Sequence, residues 1–284
     1  MAKEFSWNNP NGNRIYAVEW PVTEARAVLG IVHGVGEHCR RYDELAAWFN
    51  KQGIAAVGYD RQGFGRSEGK QGHSASYSEL LDEISHLVVE CERRYPDTPV
   101  FLYGQSMGGQ LTLQYLIRRH PHISGAVVTS PHIRLAFAPS KVLVGIGKLT
   151  RRIAPSFTQA TPLDLDALSR NKSVGEAYAK DPHTHLKISS QLGLDMLESG
   201  FELDEWSGEL PVPTLLMHGT ADRITGFEGS KAFAERNPDG LTFKGWEGFY
   251  HELHNEPDRE EVLSYVLRWV EQNMGSVHRP PESV

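Results

Sequence analysis

The chain has 284 residues, with 36 acidic and 29 basic side chains and a net charge of −7 at pH 7. This length allows one large domain or a domain with an insertion, and the negative charge argues against partners such as nucleic acid or an anionic membrane. Two cysteines, Cys39 and Cys91, are too few for a disulfide framework, and no apolar stretch is typical of a signal peptide or a membrane span, so we expect a cytoplasmic protein.

Strand and helix patterns alternate along the first part of the chain. Strands are predicted at 15–20, 28–33, 54–59, 100–103 and 126–129, and helices at 41–52, 77–95 and from the glycines after Ser106 to residue 120. Alternation of this kind predicts a mostly parallel sheet that is covered by helices on both faces.

The alternation stops after Pro131 and resumes near Pro213. Residues 131–210 have an irregular helical pattern with no clear strand. Later elements are predicted at 213–218 and 241–246 as strands and at 231–236 and 259–274 as helices, followed by a frayed tail over 275–284. We therefore predict an α/β core, residues 1–130 and 211–284, interrupted by a helical cap, residues 131–210.

Ser106 is the candidate nucleophile. It lies in the sequence GQSMGG, directly between a predicted strand and a predicted helix. The flanking glycines permit the cramped backbone of a strand-to-helix turn that exposes a serine hydroxyl above the sheet. The short pattern arises easily by chance, so the strand before it and the helix after it carry the argument.

A serine hydroxyl needs a base, and the base needs an orienting carboxylate. In this topology the three groups follow in the order Ser, Asp, His, with the last two after late strands. Asp222 and His251 satisfy this order, and His254 is the rival base. A metal site at His251 and His254 is not expected, because no third ligand is evident.

Ester cleavage also needs backbone donors for the oxyanion. The residue after the nucleophile, Met107, is expected to supply one N–H group. The glycine-rich loop after the strand 28–33 is expected to supply the other from Val35. The alternative for this loop is a plain glycine-rich turn.

Six motifs spread over nearly the whole chain carry a family resemblance. They are HGVGEH at 33–38, DRQGFGRSEG at 60–69, GQSMGG at 104–109, LSRNK at 168–172, GTADR at 219–223 and EGFYHELH at 247–254. Together they resemble the monoacylglycerol lipases and related lysophospholipases of the α/β-hydrolase superfamily. The resemblance implies a Ser106–Asp222–His251 triad, an oxyanion hole at Val35 and Met107, and no cofactor or metal.

In that family a glutamate and an arginine of the early loop, with the second histidine, lie near the pocket for the glycerol-side alcohol. They match Glu37, Arg41 and His254, whose alternative is a surface salt bridge and a helix-start histidine. The chain departs from the family at Gln105, where a histidine usually precedes the serine. It also departs over residues 60–65, where the family often has histidines.

The predicted cap has two apolar surfaces. One lies in the stretch 141–153 and the other near 188–197; their members are Val142, Leu143, Val144, Ile146, Leu149, Ile153, Ile188, Leu192, Leu194, Met196 and Leu197. The first surface suits the roof of an acyl-chain tunnel that makes transient contact with a membrane or micelle. The alternative is packing on the domain below.

We expect a serine hydrolase that cleaves a monoacylglycerol, a small lipid ester, to a fatty acid and glycerol through an acyl-enzyme. The alternatives are a lysophospholipase, a broad carboxylesterase, or a catalytically silent scaffold that binds lipid.

Overall fold

The computed structural model describes residues 1–137, 140–161 and 163–275, so the end of the predicted tail, 276–284, lies outside the described residues. The strands of the described part are β1 (Lys3–Asn8), β2 (Arg14–Trp20), β3 (Ala27–Val32), β4 (Ile54–Tyr59), β5 (Val100–Gln105), β6 (Gly125–Thr129), β7 (Thr158–Ala160), β8 (Lys187–Ser189), β9 (Thr214–Gly219) and β10 (Leu241–Trp246). Its α-helices are α1 (Asp43–Lys51), α2 (Tyr77–Arg94), α3 (Met107–Arg119), α4 (Lys141–Ile153), α5 (Lys172–Lys180), α6 (Ser190–Glu205), α7 (Phe227–Arg236) and α8 (Arg259–Asn273).

Eight strands form the central sheet, in the order β1-β2-β4-β3-β5-β6-β9-β10. Strand β2 is antiparallel to both of its neighbours, and the other pairs are parallel. The carboxyl ends of the parallel strands therefore meet at one edge of the sheet, where ligand sites of such sheets are found. This mostly parallel sheet, flanked by helices, confirms the predicted fold class.

The core lies on both faces of the sheet because successive side chains of a strand point to opposite sides. Leu102 packs in the cluster below α2 and α3, whereas Phe101 and Tyr103 pack in the cluster below α1 and α8. All three are fully buried, as the continuous apolar runs of the parallel strands predict. Both cysteines are free and buried, Cys39 in the second cluster and Cys91 in the first.

Between β6 and β9 the chain leaves the sheet. This segment contains α4, α5 and α6, together with the antiparallel pair β7–β8. The sequence predicted no strand here, because strands of three residues are too short to show alternation. Helix α4 packs on α6, and Arg151 of α4 donates to Glu198 of α6 at 2.8 Å.

The two predicted apolar surfaces of this segment have different environments. On α6, Leu192, Leu194 and Met196 are buried. On α4, the exposed fractions of four apolar residues range from 54 to 76%; they are Val142, Ile146, Leu149 and Ile153. The side chain of Leu143, part of the same predicted surface, lies outside the described part of the chain.

The amino-terminal strand β1 was not predicted. It pairs with β2 at the edge of the sheet, and its apolar residues Phe5 and Trp7 both pack on the core. Phe5 and Trp7 alternate with polar residues, which is the period-2 pattern of a strand. Two apolar residues are too few to identify a strand from the sequence. Within the described ranges, no helix is long and apolar enough to cross a membrane.

Candidate active site

Ser106 lies at a sharp turn between β5 and α3. Its backbone has φ 56° and ψ −119°, a conformation that costs a residue with a Cβ about 1–3 kcal/mol. Close packing explains the neighbouring glycine, since a Cβ at Gly108 would overlap the carbonyl oxygen of Val32. The turn thus has the geometry that the motif predicted.

Hydrogen bonds hold the backbone of Ser106 on both sides. Its N–H donates to the carbonyl of Thr129 at 3.0 Å, and its own carbonyl accepts from the N–H groups of Gln110 at 3.0 Å and His132 at 3.2 Å. These bonds join the turn to the end of β6 and to the first turn of α3. They offset the strain of the turn and fix the position of the side chain.

His251 and Asp222 lie in the loops after β10 and β9, as predicted. Their hydrogen bond, from Nδ1 of His251 to Oδ2 of Asp222, is 2.7 Å long, and both side chains are buried. The other carboxylate oxygen accepts the N–H groups of Ile224 at 2.7 Å and Thr225 at 3.1 Å. The carboxylate is therefore held in one orientation, and it orients the imidazole in turn.

The charges of this pair support each other. Burial alone would raise the pKa of Asp222, but the His251 charge and the hydrogen bonds from His218 and His251 hold it well below its ordinary value. Burial would lower the pKa of His251, and the Asp222 carboxylate outweighs this effect and raises that pKa. An ionised Asp222 beside a histidine of increased basicity is the arrangement that general-base chemistry needs.

His218 is a residue that the sequence analysis did not assign to the site. It lies at the end of β9, and its Nε2 is 3.0 Å from Oδ2 of Asp222, the oxygen that also accepts from His251. Its Nδ1 is 2.7 Å from the hydroxyl of Ser230. Its place four residues before Asp222, at the same strand end, was the only signal available in the sequence.

One predicted donor residue follows the nucleophile directly, and the other lies in a loop that approaches it. Met107 is the first residue of α3, where helix amides have no intrahelical acceptor. The loop that contains Val35 is also close, since a Cβ at Gly34 would lie 3.4 Å from Cβ of Ser106. Both residues that were predicted as oxyanion donors therefore belong to backbone segments that adjoin Ser106.

Residues from the segment between β6 and β9 hold the Val35 loop. The carbonyl of Gly36 accepts the hydroxyl of Tyr178 at 2.7 Å and the N–H of His185 at 2.9 Å. Gly36 has φ 74°, and a Cβ there would overlap the carbonyl oxygen of His185. Only glycine therefore fits this contact. Sequence reasoning did not find Tyr178 or His185.

The three predicted alcohol-side residues lie in one buried polar cluster. Arg41 pairs with Glu37 and also forms two hydrogen bonds with Glu252, at 2.8 and 2.9 Å. The hydroxyl of Tyr42 donates to Glu37 at 2.8 Å, and the Tyr42 ring stacks on His254 with centroids 4.9 Å apart. A surface salt bridge, the alternative for Glu37 and Arg41, is therefore wrong, because the exposed fractions of their side chains are only 3% and 9%.

The rival histidines have different surroundings. His251 bonds to Asp222, whereas His254 stacks on Tyr42 and lies 3.3 Å from the side-chain amide of Asn255. Burial lowers the pKa of His254 to about 4. In the described part of the chain, no group of three or more His, Cys, Asp or Glu side chains could hold a metal ion.

The motif at 168–172 supports the loop of His251. Arg170 donates to Glu256 at 2.7 Å, and Glu256 accepts the N–H of Tyr250 at 2.7 Å. Ser169 donates to the carbonyl of Asn255 at 2.9 Å. A serine at a strained strand-to-helix turn, together with a His–Asp pair in the loops after later strands, defines the fold and site of an α/β-hydrolase.

Comparisons with known proteins agree with this class. The family described as serine aminopeptidase, S33, matches residues 23–258. A monoacylglycerol lipase of Mycolicibacterium smegmatis is 32% identical, over 94% of this chain and 96% of that protein. Phospholipase YtpA of Bacillus subtilis is 31% identical, over 89% and 98%. A longer, uncharacterized abhydrolase domain-containing protein of Dictyostelium discoideum is 35% identical, and this chain spans 27% of it.

Solved structures give the same relationship. The crystal structure of the monoacylglycerol lipase of Paleococcus ferrophilus superposes with a TM-score of 0.83 at 31% identity, covering 91% of this chain and 99% of that one. The chain therefore belongs to the serine aminopeptidase S33 family of α/β-hydrolases, among the monoacylglycerol lipases and related phospholipases.

Proposed function

We propose that the chain hydrolyses the ester bond of monoacylglycerols, with Ser106, Asp222 and His251 as its catalytic triad. The 2.7 Å hydrogen bond between His251 and Asp222 carries the proposal. It fixes Nδ1 as the protonated nitrogen, so Nε2 on the other side of the ring is the one that accepts a proton. The relatives described as monoacylglycerol lipases support the substrate class.

Acylation begins when Nε2 of His251 removes the proton of the Ser106 hydroxyl. The oxygen of Ser106 attacks the acyl carbonyl, and a tetrahedral oxyanion forms. The N–H groups of Val35 and Met107 stabilise this oxyanion, and a single such donor is worth about 10²–10³ in rate. The position of Met107 at the amino terminus of α3 adds the favourable end of the helix dipole.

The imidazolium then protonates the glycerol oxygen as the ester bond breaks. The negative charge of Asp222 stabilises the imidazolium during this step. Water attacks the acyl-enzyme by the same route, with His251 as its base, and the fatty acid leaves as Ser106 regains its proton. No cofactor is needed, because each proton that leaves Ser106 or water passes through His251.

The polar cluster at Glu37, Arg41 and His254 is the proposed site for the glycerol hydroxyls. Arg41 is already bound by two carboxylates, so it orients Glu37 rather than pairing with a substrate anion. Nδ1 of His254 is buried and has no hydrogen-bond partner among the described residues, so the cluster itself does not use all the hydrogen-bonding capacity of this ring. A buried cluster of this kind suits an uncharged polyol.

We propose that residues 131–210 form a cap and that the exposed face of α4 makes transient contact with lipid. The supporting observation is the set of exposed apolar side chains on α4, since soluble proteins rarely expose several on one helix face. Replacing Ile146 and Leu149 by serine should reduce co-flotation with neutral liposomes. A matched control is Val89→Ser, an exposed apolar residue of α2. Wild-type protein that stays wholly in the soluble fraction would contradict the contact.

A hydrolysis panel tests the substrate. Initial rates with 1-oleoylglycerol, lysophosphatidylcholine and a p-nitrophenyl ester should rank the monoacylglycerol first. A preference for lysophosphatidylcholine would instead support a phospholipase, the activity named for the Bacillus subtilis relative. The pairing of Glu37 with Arg41 and Tyr42 argues against that outcome, because Arg41 already balances the charge that Glu37 would offer to a choline group. Equal rates indicate a broad carboxylesterase, and no hydrolysis indicates a silent scaffold.

A further inference from the structure

Arg61, in the loop directly after β4, is fully buried. Removing a guanidinium from water is costly unless hydrogen bonds and charges compensate it. The groups that Arg61 binds must offset this cost, and they therefore indicate the role of the residue. They belong to the loop of the proposed oxyanion hole, although Arg61 itself lies far from that loop in the sequence.

The guanidinium binds two successive carbonyl groups of this loop. Nη1 donates to the carbonyl of Gly34 at 2.8 Å, and Nη2 donates to the carbonyl of His33. Two parallel donors on a rigid planar fork match two adjacent acceptors, which the single ammonium of lysine does not. The interaction is therefore specific to arginine.

The ring of His33 completes the arrangement. The backbone N–H of Arg61 is 3.0 Å from Nε2 of His33, and a backbone N–H can only donate, so Nε2 is the acceptor. The proton of the neutral ring then lies on Nδ1, which is 2.8 Å from the carbonyl of Gly34. Burial, together with the Arg61 charge, holds the pKa of His33 well below its ordinary value, in agreement with a neutral ring.

The carbonyl of Gly34 thus accepts two hydrogen bonds, from Arg61 and from His33. This carbonyl and the N–H of Val35 belong to the same peptide group. Because that group is planar and trans, its C=O and N–H point in opposite directions. Fixing the carbonyl therefore fixes the N–H. The glycine at 34, which flanks this peptide group, would otherwise let the plane rotate more readily than another residue would.

We propose that Arg61 is a positioning residue that fixes the Gly34–Val35 peptide plane and so aims the Val35 N–H at the oxyanion. The inference rests on the proposed function, in which Val35 is one of the two donors. Bonding of its carbonyl to a cation also polarises the peptide and strengthens the N–H as a donor. Arg61 lies in the run 60–65, where this chain departs from the histidines of the family that it resembles.

Three variants test the role of Arg61. Arg61→Gln removes the cation, and Arg61→Lys keeps the charge but loses the fork. Arg94→Gln is the matched control, because Arg94 is also largely buried and paired, with Glu19 at 2.7 Å, but lies on another part of the molecule. Thermal unfolding identifies the variants that fold, and Arg61→Lys carries the test where Arg61→Gln does not fold.

The expected result is a fall in kcat of about 10- to 100-fold in both Arg61 variants, with KM nearly unchanged, since the donor acts mainly in the transition state. The affinity for an alkylboronic acid, whose adduct with Ser106 places an oxygen in the oxyanion hole, should fall by a similar factor. The pH at which kcat/KM falls on the acid side should not move, because the His251–Asp222 pair is untouched. Arg94→Gln should lower the melting temperature alone.

The outcomes separate the two proposals. A folded Arg61 variant with wild-type kcat and wild-type boronate affinity would overturn the role of Arg61 and leave the proposed function standing. A fall in kcat that is matched by Arg94→Gln would also overturn it, since it would reflect stability. Wild-type protein that hydrolyses no ester would overturn the proposed function itself, and the role of Arg61 with it.

Discussion

His218 and His251 bind the same carboxylate oxygen, Oδ2 of Asp222, at 3.0 and 2.7 Å. The second ring nitrogen of His218 is tied to Ser230 at 2.7 Å, so this ring is fixed at both of its nitrogens. Two histidine rings therefore hold the Asp222 oxygen, and its position does not depend on His251 alone.

Removing the His218 donor should weaken this support. We expect His218→Phe to lower kcat by about 10-fold, because a misplaced base costs rate even when it remains chemically intact. His218→Gln, which can still donate from its amide, should lose less. Steady-state kinetics of the two variants, with thermal unfolding as the control for folding, check this prediction. Equal losses in both would show that ring packing matters rather than the donor.

The Asp222 charge should set the acid limit of activity. Because this charge raises the pKa of His251, the base becomes protonated, and kcat/KM falls, at a pH above the ordinary histidine value of about 6.5. Asp222→Asn should move this limit to lower pH and reduce the plateau by about 10⁴. A pH profile of kcat/KM measures both effects, and an unmoved limit in the variant would contradict the assignment.

His251 and His254 should differ sharply on replacement. We expect His251→Ala to abolish acylation of Ser106, since His218, the other histidine on the Asp222 carboxylate, has its second ring nitrogen on Ser230. His254→Ala should keep acylation by a p-nitrophenyl ester but raise KM for monoacylglycerols, because only those substrates present glycerol hydroxyls. Stopped-flow acylation rates show which of the two histidines is the base. A loss of p-nitrophenyl turnover in His254→Ala alone would identify His254 as the base instead.

The buried ion cluster should contribute to stability. Arg41→Met leaves Glu37 and Glu252 buried without their cation, which typically costs about 3–5 kcal/mol in the free energy of unfolding. Arg26→Met, at the exposed pair with Glu271, should cost no more than about 1 kcal/mol.

The stability loss in Arg41→Met should depend on pH. Burial would raise the pKa of Glu252, but Arg41 lowers it, so in the wild type this pair stabilises the fold above the unfolded-state pKa and the effect fades as pH falls through the folded-state value. The difference between variant and wild type should therefore shrink in acid. Urea unfolding at several pH values measures it, and a difference that does not change with pH would contradict this account.

The predicted parts of the site were those that topology dictates. Ser106, Asp222 and His251 could be found because parallel strands end at one edge and the loops after them must meet there. The same reasoning predicted that Val35 and Met107 supply the oxyanion donors, and the loop of Val35 does approach the serine at Gly34. The strands of the sheet were recognised because buried parallel strands are continuously apolar, whereas β1 and the short β7–β8 pair lack that signal.

The contacts that hold the site in place were not predictable. Tyr178 bonds to a carbonyl 142 positions away, and Arg61 to one 27 positions away. A backbone carbonyl is the acceptor in both cases, and every residue has one, so no residue type at positions 34 or 36 indicates the partner. Such contacts depend on the folded path of the chain rather than on local pattern.

Formation of an acyl-enzyme on Ser106 tests the central claim most directly. Wild-type protein mixed with 1-oleoylglycerol and quenched in acid should show, by intact mass and peptide mapping, an oleoyl group on Ser106. Ser106→Ala should show no adduct, and its turnover should fall by about 10⁶. Retained hydrolysis in Ser106→Ala, or an oleoyl group on another residue, would contradict the account.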